Sequence, residues 1–263
     1  MHYALAEHKI DTGDLEFEHV LQDIQTLNER ASQGQYEVTA ISTHAYAYVS
    51  HQYALLPHGA SMGEGYGPMI VAREPFSPEE IVNKTVLVPG TMTSAYLALK
   101  LFSPSIQTEV LPFDEILPAV AEGRADAGLL IHEGQLTFSD FGLHEIVNLG
   151  VWWAEQTGGL PLPLGSNAIR RDLGPEMMAR VSQILRESIA YALNHREEAL
   201  DYALQFARDM EGRRALADEF VGMYVNQRTL DYGEDGRRSV RLFLERGVEQ
   251  GLISHPVAVD FID

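Results

Sequence analysis

His132 follows an apolar run, Ala125 to Ile131, whose small and branched residues read as a strand covered on both faces, as in a parallel sheet. Ligand crevices of open α/β sheets form at the carboxyl ends of strands. An imidazole there exchanges protons near neutral pH and has the position of a general base. Glu133 beside it would orient the ring only if both side chains shared a face, which consecutive strand residues do not. The competing reading is a packed or exposed histidine, and on the residue alone the two stand level. A second candidate is Val86 to Tyr96, a strand, a Pro89-Gly90 turn and a helix start carrying Thr93 and Ser94. Free backbone N–H groups at a helix N-terminus attract anions, and the two hydroxyls add donors. Thr and Ser are equally at home as plain helix caps, so both readings stay open.

Other chemistries find less support. The histidines show no HExxH or comparable metal spacing. His44 and His51, seven apart, share a helix face but lack an acid to complete a set. Ser94 and His132 lack the GxSxG elbow of a hydrolase. Gly63-Glu-Gly65-Tyr-Gly67 precedes a strand with no helix behind it, so it reads as a mobile loop and not as a dinucleotide fingerprint. Trp152-Trp153 and the extended Thr157 to Gly165 read as a core anchor and a hinge strand, with an aromatic wall for a planar ligand as the alternative.

The chain has 263 residues, 45% of them apolar, enough for a core of one large or two ordinary domains. A formal charge of −19 disfavours nucleic acid and anionic lipid as partners and is read as a solubility feature. With no cysteine there are no disulfides, thiolate nucleophiles or cysteine-held metals. No apolar run reaches the roughly twenty residues of a membrane span. The first residues, MHYALAEH, lack the pattern of a secretory leader, so the expected location is the cytoplasm.

Strand and helix patterns alternate, which predicts an α/β architecture. Strands are expected at Leu15 to Leu21, Tyr36 to Ser42, Pro68 to Ala72, Thr85 to Val88, Glu109 to Pro112, Ala125 to Ile131 and Ile146 to Val151. Helices are expected at Ile24 to Ser32, His44 to His51, Thr93 to Phe102, Met177 to Leu193, Glu197 to Ala207 and Arg237 to Glu249. One pattern recurs: a helix, a glycine three residues before an acid (Gly34/Glu37, Gly123/Asp126), and a strand with a polar end. Those ends are Ser42-Thr43-His44 and His132-Glu133. Two such halves suggest lobes facing one another over a cleft, although any helix–glycine–strand unit looks similar.

Several segments resemble one family, the 1,4-dihydroxy-6-naphthoate synthases of the futalosine route to menaquinone. They are SxxAY (Ser42 to Tyr46), GPMIVAR (Gly67 to Arg73), VPGxxTSAY (Val88 to Tyr96), ILPAVAxGxxDAGLLIHExxxTF (Ile116 to Phe138), WWxxxTGxLPLPLG (Trp152 to Gly165) and EEALDYA (Glu197 to Ala203). The resemblance implies a two-lobed α/β fold of the type II periplasmic-binding-protein kind with a central cleft. Residues 1–73 and 161–263 would form one lobe and 74–160 the other. It implies a lyase that splits cyclic dehypoxanthine futalosine, a small-molecule partner, with no metal or organic cofactor. His132 falls on the family's proposed base, and Ala40, Ile41, Ser42, Thr93 and Ser94 on its substrate-contacting segments. A sister family, a dehydratase in the same pathway, and a non-catalytic solute-binding protein are the alternatives. Family members begin with a strand and an SPCPNDTF-like turn ahead of the helix that opens here at Met1. The expectation follows that the 263-residue form is unstable or inactive.

Overall fold

The computed structural model describes residues 1–206 and 214–262. Among these, nine strands form two sheets: β1 (Val38–Ser42), β2 (Tyr53–Leu55), β3 (Ser61–Gly63), β4 (Met69–Ala72), β5 (Thr85–Val88), β6 (Gln107–Val110), β7 (Ala127–Leu130), β8 (His144–Asn148) and β9 (Leu162–Arg170). The first sheet is organised on β9, which pairs antiparallel with β1, β2 and β3. The second has the order β6-β5-β7-β4-β8. In it β5 is parallel to β6 and β7, whereas β4 runs antiparallel to β7 and β8. The buried strand before His132 is therefore central in a mixed sheet, not in a wholly parallel one. Each sheet is the centre of one lobe.

Four helices border the site: α1 (Ile24–Ser32), α2 (Thr43–Val49), α3 (Ser94–Phe102) and α4 (Phe113–Ala121). Three more join the lobes: α5 (Gly134–Thr137), α6 (Leu149–Thr157) and, from the C-terminal part, α7 (Arg214–Tyr224). The long helices α8 (Gly233–Glu249) and Pro175–Asn194 complete the first lobe. Gly34 and Gly123, which follow α1 and α4, have φ of 65° and 78°, so both helices end on the left-handed residue that glycine adopts without a Cβ penalty.

Several expected elements differ in extent or placement. Leu15 to Leu21 alternates but forms no strand, and Leu21 is 64% exposed. Alternation shows that a segment fits a pleat, but a ladder also needs a neighbour, and here none pairs with it. A groove of about 450 Å³ separates this segment from the edge strand β1, lined by Phe17, Val20, Leu21, Val38 and Ala40 among others. The strand expected over Ile146 to Val151 stops at Asn148, whose side chain accepts the Gly150 and Val151 N–H groups and caps α6. The helix expected over Glu197 to Ala207 spans Arg196–Leu204, and Ala207 itself lies outside the described residues. Strand β4, placed by the sequence in the first lobe, pairs within the second sheet, so the chain crosses between Gly63 and Met69 and returns before Leu162.

Both crossings sit on a shared core. Trp153 is fully buried, its indole N–H donates to Ser239 Oγ at 3.0 Å, and Phe243 meets its ring edge-on at 5.3 Å. This pins α6 of the second lobe to α8 of the first, and makes the tryptophan pair a core anchor. The first crossing packs backbone on backbone: a Cβ on Gly150 would lie 1.9 Å from the Tyr66 carbonyl oxygen, and one on Gly63 2.1 Å from it.

Candidate active site

The carboxyl ends of β5, β6 and β7 lie on one edge of the second sheet because these strands are parallel. That edge carries the Gly90 to Ser94 turn after β5, Phe113 after β6 and His132 after β7. The Phe113 ring centroid is 4.0 Å from that of His132. His132 Nε2 is sealed from solvent and has no hydrogen-bond partner. Burial pushes this imidazole down to about 4, against the opposing pull of the Asp23 and Asp114 carboxylates. The ring is therefore neutral at pH 7, with an open acceptor or donor position on Nε2. No hydrogen bond joins Glu133 to it among the described residues, and the flanking charges come from other elements.

The first lobe supplies the opposite wall. Asp23 caps α1, its carboxylate accepting the Thr26 backbone N–H at 3.0 Å and the Thr26 hydroxyl at 2.5 Å. Partial burial pushes its pKa up, but the Thr26 hydroxyl and the Thr26 and Gln25 N–H groups outweigh this and hold it below the usual carboxylate value. Two residues along, Gln25 reaches across to Gly90, where a Cβ would lie 2.2 Å from Gln25 Oε1, itself buried and unpartnered. Ser42 ends β1 locked to Asn28, accepting from Nδ2 at 3.0 Å while its N–H donates to Oδ1 at 2.9 Å. Thr43 Oγ1, next along, is a further buried atom with no partner. Unpaired buried polar atoms are rare in folded proteins, and three occur on the segments that meet here.

Of the residues singled out in the sequence, Ser42, Thr93, Ser94 and His132 lie on these facing segments. The Thr93 hydroxyl accepts from Tyr96 N–H at 3.1 Å and donates to the Gly90 carbonyl at 2.9 Å. The Ser94 hydroxyl accepts from His44 N–H at 3.3 Å and donates to the Leu164 carbonyl at 2.5 Å, joining the lobes. Both hydroxyls are thus engaged, and of the first-turn N–H groups of α3, which have no partner within the helix, the Tyr96 N–H is taken by the Thr93 cap. Ile41 is fully buried in the main core and pairs with Ser166 of β9. Ala40 lines the groove beside β1. Asp23, Gln25, Phe113 and Asp114 were not singled out in the sequence. Asp23 three residues before Thr26 signals a helix cap, and nothing in it signals a neighbour 109 positions away.

His44 does not form a set with His51. It is buried, with Nδ1 at 3.3 Å from the Thr93 carbonyl, and because a carbonyl only accepts, Nδ1 carries the proton. His58 is also buried, 3.0 Å from Ser182 Oγ. Burial pushes each of these two imidazoles from 6.5 down to about 4. As pH falls from 6.5 towards 4, the unfolded chain takes up protons that the folded chain refuses, so stability present above pH 6.5 is lost over that window. Each such histidine contributes up to about 1.4 kcal/mol per pH unit. The melting temperature should therefore fall between pH 7 and pH 5, and equal values at the two would contradict this account of His44 and His58.

With the geometry in hand, comparison with known proteins gives a consistent result. The family model described as menaquinone biosynthesis matches residues 1–249. A 1,4-dihydroxy-6-naphthoate synthase of Thermus thermophilus is 43% identical over 244 residues, 92% of this chain and 88% of that protein. A crystal structure from Archaeoglobus fulgidus superposes with a TM-score of 0.90 at 45% identity, covering 96% of this chain and 93% of that one. A ligand-binding component of an ABC-type import system from Staphylococcus aureus, 11% identical with a TM-score of 0.72 over 99% of this chain and 91% of that one, shares the fold. No helix among the described residues is long and apolar enough to cross a membrane. The chain belongs to the menaquinone-biosynthesis family, on a two-lobed fold of the periplasmic-binding-protein type.

Proposed function

We propose that this chain is a carbon–carbon lyase that converts cyclic dehypoxanthine futalosine to 1,4-dihydroxy-6-naphthoate, with His132 as its general base and the cytoplasm as its location. The observation that carries the reading is the sealed, unpartnered Nε2 of a neutral His132 at the mouth of the second sheet, facing the α1 start and the end of β1. Neutral imidazole accepts a hydroxyl proton from the sugar portion of the substrate. The electrons of that O–H bond become the carbonyl of the sugar-derived fragment as the adjacent carbon–carbon bond breaks, and the electron pair of the broken bond passes into the released ring system, which becomes aromatic. The naphthoate carboxylate suits the α3 N-terminus, where Ser94 and Ala95 open the first turn after the Thr93 cap. Ser42, held by Asn28, and the Ala40-Ile41 backbone supply the opposing contacts. Closure of the lobes excludes water from the cleft.

The test is a side-by-side assay of cyclic dehypoxanthine futalosine and of the sister dehydratase's substrate, chorismate. It uses the 263-residue chain and, in parallel, any in-frame extension upstream of it. Naphthoate released from the first substrate, with no change in the second, is expected. Dehydration of chorismate with no release of naphthoate would replace the lyase by the dehydratase.

A further inference from the structure

The turn that carries His132 is tied to the first lobe by one side chain. Gln135, in α5, is 3% exposed, and its backbone N–H donates to the His132 carbonyl at 2.9 Å. Its side-chain amide folds back, Nε2 donating to the Leu130 carbonyl at the end of β7 at 3.3 Å. The remaining atom, Oε1, accepts from the hydroxyl of Tyr224 at 2.8 Å. Tyr224 is the last residue of α7 in the first lobe, so this bond spans the two lobes. Burial raises the Tyr224 phenol well above its ordinary value, which keeps it a neutral donor. Behind it, Tyr66 of the first crossing packs edge-on against the Tyr224 ring at 5.6 Å, and its hydroxyl donates to the Met223 carbonyl. One chain of contacts thus runs from the crossing segment, through the end of α7, to the turn between Leu130 and Gln135.

We infer that Tyr224 and Gln135 are positioning residues, whose hydrogen bond sets the His132 turn in register with the first-lobe wall when the lobes are closed. This rests on the reading of His132 as the base. Neither residue reacts. The bond acts because His132 sits on a short turn, and a small displacement of a reacting group is costly to rate. A bond of this kind also breaks when the lobes separate, so the base reaches its working position together with closure.

Tyr224→Phe removes the hydroxyl and keeps the ring, and Gln135→Leu removes the acceptor. Tyr224→Phe should lower kcat by about ten- to a hundredfold, with substrate affinity much less affected. Losing one buried hydrogen bond should lower the melting temperature by no more than about 4 °C. The double variant should be no slower than Gln135→Leu alone, because both changes break one interaction. Wild-type kcat in Tyr224→Phe, additive losses in the double variant, or a fall in kcat matched by a larger fall in melting temperature would each overturn the inference.

A readout free of turnover separates this from the base reading. The Phe113 ring, 4.0 Å from His132, makes the imidazole NMR shifts sensitive to the position of the turn. Those shifts should move in both single variants, and unmoved shifts would overturn the positioning role whatever the activity. Turnover that survives in His132→Ala would instead overturn the base reading.

Discussion

His132→Ala should bind substrate nearly as well as wild type and lose about 10²–10⁴-fold in kcat, the range that a positioned general base contributes. The asymmetry follows from the site. The imidazole Nε2 makes no structural hydrogen bond, and Asp23, Ser42 and Thr93 are held by their own partners, Thr26, Asn28 and Gly90. Removing the ring therefore leaves the opposing wall and the α3 start in place, and only the proton acceptor is lost. Phe113 loses a ring contact and relaxes locally. Isothermal calorimetry for binding and product release for kcat check the two halves separately. A variant that loses binding and rate in equal proportion would make His132 a substrate contact and not a base.

Among the described glycines, Gly150→Ala should be the most damaging change to alanine. Its Cβ would lie 1.9 Å from the Tyr66 carbonyl oxygen and 2.8 Å from Gly67 N. These are backbone atoms of the crossing segment, so no side-chain rotation relieves the overlap. The same carbonyl oxygen would lie 2.1 Å from a Cβ on Gly63, so Tyr66 is closely packed by both glycines. We expect a cost of about 3 kcal/mol or more, at the upper end for overpacking. For a chain of this size that lowers the melting temperature by roughly 6–12 °C. Ala at Gly158, where a Cβ meets nothing within 4 Å, is the matched control, carrying only the strain of its φ of 69°. Equal melting temperatures for Gly150→Ala and wild type would mean that the crossing is looser than its contacts indicate.

Much of the scaffold was legible in the chain because local signals and tertiary demands agreed. Ile24–Ser32 and Thr85–Val88 fall where periodicity and punctuation place them, and Thr93 caps the helix it was expected to open. Failures came where an element depends on what lies beside it. Leu15 to Leu21 has the alternation of a strand and lacks a partner. Strand β4 lies in the second sheet because of its pairing with Leu130 and Asn148, which no local pattern records.

The same division runs through the site. His132, Thr93 and Ser94 could be singled out because each ends or begins an element, and element ends are visible in sequence. Asp23, Gln25 and Tyr224 could not, because their roles arise from lobes meeting across 65 or more positions. The polar strand ends at Ser42 and His132 did point to a cleft. The sequence left the hydroxyls of Thr93 and Ser94 open as ligand donors, and the structure gives them work in capping and in joining the lobes.

The central claim is that a neutral His132 removes the proton that starts carbon–carbon cleavage. A single-turnover measurement tests it most directly, with the protein in excess over cyclic dehypoxanthine futalosine so that all substrate is bound. Wild type should release naphthoate in one exponential, and His132→Ala at a rate lower by about 10²–10⁴-fold with the substrate still bound. Naphthoate released by His132→Ala at the wild-type rate would contradict it.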